Sequence, residues 1–520
     1  MPVEAALPAT HPSPLPVLPD SGQHAGCWPL HGVAASRAIE AAAQAALPPH
    51  TLMQRAGLAL ARLAQAIAPH AAVVQVLAGP GNNGGDGLEA AMLLKRAGRD
   101  ARVALLGDAA RLPADAAASL QRALQAGVPI TGELPALPAN AGMLVIDALL
   151  GLGSSRPPEG CIAEAIAWMN AGGGPVLAAD LPSGLDADTG RCAEGASGCV
   201  RAHHTLALLT LKPGLFTGRG REQSGRIWFD PLGVALPPAA DALLPSRAAV
   251  DALLPRPGHA SHKGSRGDVL VVGGAPGMSG AALLAARAAL LAGAGRVYLA
   301  PLGDAPGLGG SAPELMLRPE LARAPRQLGG DPTVVCGCGG GDAVREVLPG
   351  LLSAAPRLVL DADGLNAVAA DAALRGLLAG RSGRGQATVL TPHPLEAARL
   401  LGSSTAAVQH DRIAAATRLA AELGAVVVLK GSGSVIAAAG ATPAINPSGN
   451  AALASAGTGD VLAGWLGGLW AQGLEARDAA LAAVHAHGAA ADSWLAGGRP
   501  PHAPLTASRL IETLHEALQR

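Results

Sequence analysis

Residues 71–87 read AAVVQVLAGPGNNGGDG, an apolar run that passes into a segment rich in glycine. The run 71–78 is short, apolar and rich in valine, which predicts a buried parallel strand. A helix is predicted at 88–97. Five glycines, two asparagines and one aspartate lie at 79–87, more than a plain strand–helix turn requires. Because Gly and Asn tolerate positive φ, this segment is predicted to turn tightly and to point backbone N–H groups at an anion such as phosphate.

Strands and helices alternate on both sides of this stretch. Before residue 235, further strands are predicted at 102–106, 143–147, 175–180 and 205–211, and helices at 33–46 and 52–68. After residue 260, strands are predicted at 268–272, 296–300, 333–336, 357–361, 387–390 and 425–429, and helices at 279–292, 460–469 and 479–492. The alternation predicts an α/β fold with two doubly wound domains, each a sheet with helices on both faces.

Prolines suggest where the two domains divide. Five of them lie between residues 232 and 258, where the alternation pauses. The predicted domains are therefore 26–240 and 250–520. Residues 1–25 are rich in proline and are predicted to form a loose leader.

Composition excludes several classes of protein. The chain has 520 residues with a formal net charge of −1, and 15% of them are charged. This balance predicts no nucleic-acid partner and no anionic membrane surface, and it excludes a disordered polyelectrolyte. Uninterrupted apolar runs stay below about 18 residues, so no spanning helix is expected. The N-terminal residues lack the basic stretch of a signal peptide.

The six cysteines form no CxxC motif and are too few for a disulfide framework. We therefore expect reduced thiols in a cytoplasmic protein. Cys336 and Cys338 are separated by one glycine, but no second Cys or His pair follows at zinc spacing, so no zinc site is predicted.

Two aspartates end predicted strands in the first half of the chain. Asp147 ends MLVID, and Asp180 ends PVLAAD before Leu-Pro-Ser183-Gly. Carboxyl ends of parallel strands share one crevice with the glycine-rich segment, and partial burial of a carboxyl group there suits general acid–base work. The Asp and Ser oxygens, with the Asn83 amide, could also surround a hard cation. For either aspartate alone, capping of a helix N-terminus is the competing interpretation.

A second glycine-rich motif, GTGDVLAG at 457–464, lies at a predicted helix start. Free N–H groups there would face a transferring phosphoryl group, and Asp460 could take a proton from a substrate hydroxyl. The alternative is an Asp that caps the helix. Further polar clusters follow apolar runs at 278–281, 337–341, 361–366, 391–396 and 430–434, and all could line one sheet edge. A lone His393 between two prolines would otherwise be an ordinary surface-loop residue.

The first half resembles the NAD(P)H-hydrate epimerase domain over about residues 35–235. The motifs GPGNNGGDG, DALLGLG, DLPSGLDADTG and TLKPG occur in order and carry the resemblance. It implies a Rossmann-like three-layer domain in which Asp180 is the acid–base residue and Lys212 assists. The implied substrate-binding residues are Asn82, Asn83, Gly84, Gly85, Asp86, Gly151, Leu152, Gly153, Ser154, Ser155, Arg156, Pro157 and Asp180. The implied potassium ligands are Asn83, Asp147 and Ser183.

The second half resembles the ADP-dependent NAD(P)H-hydrate dehydratase, a branch of the ribokinase-like superfamily, over about residues 250–518. HKGSRGDVLVVGGAPGMSGAA, LDADGLN, TPHPLEAARLL, LKGSGSVI and GTGDVLAG carry the match. The resemblance implies Mg²⁺ and ADP, with Asp460 as the catalytic base. The implied substrate contacts are Ala281, Gly341, His393 and Asp460, and the implied nucleotide contacts are Lys430, Gly431, Ser432, Gly433, Ser434 and Gly459. Residues 446–456 depart from the family pattern through small side chains, for which local repacking is expected.

Together the two resemblances imply a bifunctional repair enzyme, both isomerase and lyase. It would interconvert the R and S epimers of NADH or NADPH hydrated at C6. It would then dehydrate the S form with ADP, releasing AMP and phosphate. Homo-oligomers are common among such proteins, and small molecules would be the partners. Two alternatives stay open: an ATP-dependent sugar or vitamin kinase carrying the GTGD motif, and a first half that binds nucleotide without catalysis.

Overall fold

The computed structural model describes residues 15–16, 26–135, 142–153, 156–195, 197–237, 239–303, 312–500 and 503–518. These residues form two units, the first made of 15–16 and 28–242, the second of 26–27 and 243–518. Of the predicted leader, residues 1–14 and 17–25 lie outside the described residues. Leu15–Pro16 forms a short strand instead of loose chain.

A mostly parallel sheet forms the centre of unit 1. The strands in this part of the chain are β1 (Leu15–Pro16), β2 (Cys27–Leu30), β3 (Val73–Ala78), β4 (Ala101–Leu105), β5 (Ile130–Thr131), β6 (Met143–Ala148), β7 (Val176–Ala179), β8 (His204–Leu208) and β9 (Arg226–Asp230). The sheet order is β1-β9-β8-β7-β6-β3-β4-β5. Only β1, beside β9, is antiparallel to its neighbour among the described strands of this sheet.

Helices cover both faces of this sheet. They are α1 (Val33–Ala46), α2 (Thr51–Ile67), α3 (Asn82–Arg96), α4 (Ala114–Gln125), α5 (Gly160–Ala171) and the short α6 (Gly220–Gln223). Alternate residues of β3 enter different cores, since Val76 packs in the core of α2 and α3 whereas Leu77 packs in that of α5. Because both faces are buried, the strands read as continuous apolar runs, as the sequence predicted.

Unit 2 repeats this architecture on a longer sheet. Its strands are β10 (Ala242–Pro245), β11 (Asp268–Gly273), β12 (Arg296–Pro301), β13 (Met316–Leu317), β14 (Thr333–Cys336), β15 (Arg357–Leu360), β16 (Ala387–Leu390), β17 (Val426–Leu429), β18 (Val435–Ala437) and β19 (Ala444–Ile445). They lie in the order β13-β12-β11-β14-β15-β16-β17-β18-β19-β10. Pairing is parallel from β13 to β17 and antiparallel on both sides of β18.

The helices of unit 2 are α7 (Arg247–Asp251), α8 (Ser279–Leu291), α9 (Val344–Ala354), α10 (Ala362–Ala370), α11 (Ala372–Ala379), α12 (Pro394–Leu401), α13 (Thr405–His410), α14 (Arg412–Leu423), α15 (Thr458–Ala471), α16 (Ala476–Ala496) and α17 (Ala507–Leu518). One core joins a sheet face to α8, α15, α16 and α17, and another joins the opposite face to α9–α14. Both units are therefore doubly wound, which confirms the predicted fold class. None of the helices in the described ranges is long and apolar enough to cross a membrane.

The glycine-rich segment differs from its prediction in one respect. Helix α3 begins at Asn82, not at residue 88, so the segment forms the first turns of the helix. Its glycines do not adopt positive φ. They are needed because the helix lies against other backbone: a Cβ on Gly84 would lie 2.0 Å from the Gly79 carbonyl oxygen. Close approach, not turn geometry, is what requires glycine here.

Backbone contact also joins α8 to α15. A Cβ on Gly464 would lie 2.0 Å from the Ala285 carbonyl oxygen, and one on Gly468 would lie 2.4 Å from the Ala289 carbonyl oxygen. A side chain at either position must separate the helices, because backbone cannot change rotamer.

We expect Gly464→Ala to destabilise unit 2 by about 1–3 kcal/mol through overpacking. The matched control is Gly376→Ala in α11, where a Cβ meets nothing within 4 Å. That change removes a helix glycine and should be neutral or stabilise by up to about 1 kcal/mol. Urea unfolding of both variants measures the difference, and equal midpoints would contradict this account of the packing.

Candidate active sites

A cavity of about 770 Å³ opens at the carboxyl edge of the sheet in unit 1. This volume lies in the range of small-molecule sites. Among the predicted residues, its lining includes Asn82, Asn83, Asp86, Gly151, Leu152, Gly153, Arg156, Pro157 and Asp180. Gly84 and Gly85 do not line it, because they are buried where α3 packs on its neighbours. Ser154 and Ser155 lie outside the described residues.

Asp180 follows β7 in a left-handed conformation with φ of 66°, which L-residues rarely adopt. Its carboxylate accepts hydrogen bonds from the Lys212 ammonium group and from the Leu208 N–H, the latter at 3.1 Å. Lys212 is 1% exposed and also donates to the Leu208 carbonyl oxygen at 2.8 Å. The helix-capping interpretation of Asp180 is wrong, because no helix begins there. The lysine instead fixes the carboxylate at the cavity wall.

Two of the other carboxyl groups that line the same cavity have raised pKa values. Burial, with the charges of Asp180 and Glu40, raises the pKa of Asp86 well above its usual value. Burial and Asp180 likewise raise the pKa of Glu40, which lies on α1. Protons are therefore held readily around Asp180, an environment suited to acid–base chemistry.

Asp147 lies at the end of β6 and is buried. It accepts from the Ser183 hydroxyl at 2.6 Å and from the Ser183 N–H at 2.8 Å. Burial raises the pKa of Asp147 to about 6, although these hydrogen bonds and one from Leu149 lower it. The arrangement holds two loops together and is not a helix cap.

Asn83 lies close to this pair through the loop that follows β6. Its Nδ2 donates to the Leu150 carbonyl oxygen at 2.9 Å, and the Leu150 N–H donates to the Ser183 hydroxyl at 2.9 Å. Within the described part of the chain, the buried Asn83 Oδ1 has no hydrogen-bond partner. A buried oxygen without a donor, beside carboxylate and hydroxyl oxygens, fits the predicted potassium ligands.

In unit 2, Asp460 lies in the first turn of α15. The helix is capped by Gly457, at φ of 86°, so Asp460 does not cap it. Burial first, and then the charge of Asp361, raises the pKa of Asp460 to about 6. The carboxylate is therefore ionised at neutral pH but binds a proton readily, as a general base requires.

Asp361 directly follows β15 and is 2% exposed. It accepts from Lys430 Nζ at 2.7 Å and from the Thr391 hydroxyl at 2.8 Å. Burial lowers the pKa of Lys430, but the carboxylates of Asp361 and Glu396 together raise it above its usual value. The Lys430 ammonium group also lies 3.5 Å from where a Cβ on Gly459 would be, which places it at the start of α15.

His393 caps α12. Its Nδ1 accepts from the backbone N–H groups of Leu395 and Glu396 at 3.1 and 3.3 Å. The backbone N–H of His393 in turn donates to Glu396 Oε2 at 2.7 Å. Burial raises the pKa of Glu396 to about 7. The His393 side chain is 45% exposed, and this capping box fixes its imidazole at the start of α12.

The remaining predicted residues lie around this edge of the sheet. Gly341 donates its N–H to Asp363 Oδ2 at 2.8 Å, and Ala281 packs against Gly339. Residues 430–434 form the turn before β18, where the Ser434 hydroxyl donates to the Gly431 carbonyl oxygen at 3.2 Å. In the unusual segment 446–456, Gly449 and Asn450 both donate to Asp492 of α16. The small side chains in this segment do not prevent its hydrogen bonds to α16.

Cys338, Asp361 and Asp460 place one potential ligand atom each within 4.8 Å of one another. The set does not fit Mg²⁺, which prefers oxygen. Burial, with Asp460 and Asp361, raises the pKa of the Cys338 thiol well above its usual value, so the sulfur keeps its proton. Asp361 already accepts hydrogen bonds from Lys430 and Thr391, and we assign no metal to this group.

Sequence reasoning missed several residues of these sites. The motif LDADGLN contains Asp361 but gives it no role, and the resemblance assigns Lys430 to the nucleotide without revealing its carboxylate partner. Arg37, Glu40 and Asp115 line the first cavity but carry no local signal, because their helices read as ordinary amphipathic helices. Cys338 lies in the predicted polar cluster 337–341, but the sequence assigns it no role beyond a rejected zinc site.

Two units with ligand-sized clefts or polar clusters at the carboxyl edges of doubly wound sheets define a two-domain α/β enzyme class. Residues 269–514 match the family model described as NAD(P)H-hydrate dehydratase, and residues 49–214 match the YjeF-related protein N-terminus.

Curated relatives match most of the chain. The bifunctional NAD(P)H-hydrate repair enzyme Nnr of Escherichia coli (strain K12) is 37% identical over 465 residues, covering 87% of each chain. The corresponding enzyme of Leishmania braziliensis is 38% identical over 492 residues, covering 87% of this chain and 86% of the other. The chain therefore belongs to the family of bifunctional NAD(P)H-hydrate repair enzymes, with both catalytic domains.

Among solved structures, the ADP/ATP-dependent NAD(P)H-hydrate dehydratase of Bacillus subtilis, co-crystallised with ATP/Mg²⁺, is similar to the second half. It is 31% identical, with a TM-score of 0.45, and the match covers 52% of this chain and 96% of that one.

The buried pair of Asp180 and Lys212 generates a stability prediction. Asp180→Asn and Lys212→Met should each cost about 3–5 kcal/mol, because each leaves one polar or charged group buried alone. The double variant should cost clearly less than the sum, as measured by urea unfolding. The exposed pair Asp100 and Arg102 is the control and should show little coupling. Additive costs for Asp180 and Lys212 would contradict a buried ion pair.

Proposed function

We propose that the two sites carry out successive steps in the repair of hydrated NADH and NADPH. The first would interconvert the R and S epimers of the coenzyme hydrated at C6, and the second would dehydrate the S epimer at the expense of ADP. The observation that carries the proposal is the pairing, in one chain, of a cavity containing Asp180 with a helix start bearing a proton-accepting Asp460.

In the first site, Asp180 would move the proton when the epimers interconvert. Its place at the cavity wall and the bond from Lys212 hold its carboxylate in one orientation. Asn82, Asn83 and Asp86, with residues 151–157, would bind the substrate, whereas Gly84 and Gly85 would act indirectly by letting α3 pack closely on its neighbours. Asn83, Asp147 and Ser183 would hold potassium, which supplies a fixed positive charge that orients the substrate.

In the second site, Asp460 would remove the proton of the C6 hydroxyl. The resulting oxygen would attack the β-phosphate of ADP, breaking the bond to AMP. The N–H groups at 457–460 would stabilise the charge that develops on the phosphoryl group. Loss of phosphate from C6, together with loss of a proton from the neighbouring ring carbon to solvent, would then restore the ring double bond. Phosphorylation makes this chemically reasonable, because hydroxide is a poor leaving group and phosphate is a good one.

The remaining residues would bind and orient. Ala281, Gly341 and His393 would contact the hydrate, and Lys430, Gly431, Ser432, Gly433, Ser434 and Gly459 would contact the nucleotide. Mg²⁺ would enter with the nucleotide, bound chiefly by phosphates and water, since the nearby protein cluster contains a protonated thiol.

We also propose that the enzyme works in the cytoplasm. All six cysteines are free thiols, which agrees with a reducing cytoplasm. A homo-oligomer is expected from the resemblance, and sedimentation would test it.

The direct test is absorbance at 340 nm with a mixture of both NADH-hydrate epimers, potassium and Mg²⁺, with ADP or ATP added in parallel. Recovery of all the NADH with ADP would support both activities. Recovery that stops at the S fraction would refute the epimerase assignment. A stable phosphorylated product would refute the dehydratase and indicate a kinase.

Two amide substitutions separate the sites. Asp180→Asn should lower epimerisation by about 10²–10⁴-fold and spare dehydration of the pure S epimer. Asp460→Asn should lower dehydration by a similar factor while ADP binding, measured by calorimetry, is retained. Each variant leaves the other site intact. Because Asp180→Asn is also expected to destabilise unit 1, its urea unfolding must show that unit 1 stays folded under the assay conditions.

The pH dependence of dehydration follows from Asp460. Its pKa of about 6 means that the carboxylate is ionised above this pH and protonated below it. Because the base must be ionised and this pKa belongs to the ligand-free site, we expect kcat/KM to be level at neutral pH and to fall about tenfold per pH unit below 6. A profile that stays level down to pH 4.5 would exclude Asp460 as the base.

A further inference from the structure

We propose that Arg412 is a positioning residue for the nucleotide, whose buried guanidinium group holds the turn 430–434 in the conformation that binds ADP. The inference rests on the proposed function, because it takes residues 430–434 as nucleotide contacts. It adds a residue that lies outside every motif on which the family resemblance depends.

The guanidinium group of Arg412 is fixed by hydrogen bonds on two sides. Arg412 is the first residue of α14 and is 2% exposed. Its Nη2 donates to the carbonyl oxygens of Leu429 and Lys430 at 3.2 and 3.1 Å, where β17 passes into the turn. Its Nη1 donates to Gln409 Oε1 at 2.6 Å. Because the group is planar and rigid, these bonds leave it one orientation.

The turn is shaped to fit this group. Gly431 has φ of 137°, a conformation that residues with a side chain rarely adopt. A Cβ at Gly431 would lie 3.0 Å from both Nη1 and Nη2 of Arg412. The backbone of the turn therefore packs directly on the guanidinium group, and glycine is needed for both the conformation and the close approach.

The bond to the Lys430 carbonyl oxygen also sets the direction of the next N–H group. In a planar trans peptide, the C=O of Lys430 and the N–H of Gly431 point in opposite directions. Because the carbonyl faces the buried Arg412, the Gly431 N–H points away from it. In the part of the chain that the structure describes, this N–H forms no hydrogen bond. It is therefore available to an oxygen atom of the nucleotide, as N–H groups in phosphate-binding loops are.

Lys430 itself is held at three points. Its backbone N–H donates to the Pro392 carbonyl oxygen at 2.9 Å, and its Nζ donates to Asp361 Oδ1 at 2.7 Å. Arg412 binds the third group, the carbonyl oxygen. The position of the Lys430 ammonium group at the site therefore depends on Arg412 as well as on Asp361.

Arg381 offers a matched control in the same unit. It is fully buried and donates to the carbonyl oxygens of Leu352 and Ala355 at 2.8 and 2.9 Å. Burial lowers the pKa of both Arg381 and Arg412 to about 10, so both are ionised at neutral pH. Ala355 precedes β15, which places Arg381 at the amino edge of the sheet, opposite the site. Replacing Arg381 removes a buried guanidinium group without changing a contact to the turn.

The experiment compares four full-length proteins: wild type, Arg412→Met, Arg412→Lys and Arg381→Met. Calorimetry measures the Kd for ADP, and dehydration of the S epimer gives kcat and the KM for ADP. Methionine keeps much of the apolar stem of arginine but donates no hydrogen bond. Arg412→Met should raise both Kd and KM by roughly 5–30-fold, because the turn must then be ordered when ADP binds. At saturating ADP, kcat should change by less than about threefold, since Asp460 lies on another helix.

The other two variants separate geometry from charge and from stability. Lysine keeps the charge but replaces the planar fork by one donor atom, so Arg412→Lys should bind ADP less tightly than wild type and more tightly than Arg412→Met. Arg381→Met should lose stability to urea, as Arg412→Met does, but should keep the wild-type Kd for ADP.

Two results would overturn the inference. One is a Kd for ADP in Arg412→Met equal to that of wild type and Arg381→Met. The other is an equal rise in Kd in Arg412→Met and Arg381→Met, which would indicate a general effect of destabilising unit 2. If urea unfolding shows that Arg412→Met does not fold, the Kd of Arg412→Lys against that of wild type decides in the same way.

A second readout separates this inference from the proposed function. Hydrogen exchange over residues 426–436, measured without ligand, should be faster in Arg412→Met and unchanged in Arg381→Met. If wild type neither binds ADP nor regenerates NADH, but exchange is still faster in Arg412→Met, the proposed function fails and the ordering of the turn by Arg412 stands. If NADH is regenerated with ADP, and Arg412→Met changes neither exchange nor Kd, the inference about Arg412 fails alone.

Discussion

Parallel strand register is the constraint on which both sites depend. In unit 1, Asp147 pairs with Ala178 and Ala179 with Leu206, so the chain leaves neighbouring strands at the same level. In unit 2, Val272, Cys336, Leu360 and Leu390 form one row across four strands. A slip of one residue would move every polar group that follows these strands to the wrong face or level. In each unit, the pairing register of the strands therefore brings together polar residues that lie far apart in the sequence.

The same apolar rows explain how much the sequence could predict. Strand 333–336 and helix 33–46 are found at the predicted bounds, because a run buried on both faces and a long amphipathic pattern are strong signals. Helix α3 was placed six residues too late, because glycine has a low helix propensity and only tertiary contact with Gly79 reveals why it is used. Asp180, Asp147 and Asp460 were identified at strand ends and a helix start. Their partners could not be: Lys430 is 69 residues from Asp361 in sequence, and no local pattern reports such a pair.

Each site combines an aspartate that we propose to be catalytic with a buried lysine that already has a carboxylate partner. Lys212 contacts Asp180 directly, whereas Lys430 contacts Asp361 and leaves Asp460 in a more negative environment. Both units contain a buried Asp–Lys ion pair, but the lysine contacts Asp180 itself in unit 1 and the neighbour of Asp460 in unit 2. In unit 1 the cation fixes the reacting carboxylate itself. In unit 2 it neutralises the neighbour, and burial is left to raise the proton affinity of the base.

The contact of Gly464 and Gly468 with the backbone of α8 has a mechanical consequence. Helices that meet through side chains can slide by exchanging rotamers, but two backbones in contact have no such freedom. Helix α15 is therefore held rigidly against α8, and its N-terminal end carries Asp460 and the N–H groups at 457–460. The charged end of this helix is organised when the protein folds, so it needs little reorganisation when the substrate binds. Flexibility needed for entry and release of ligands must come from segments other than this helix pair.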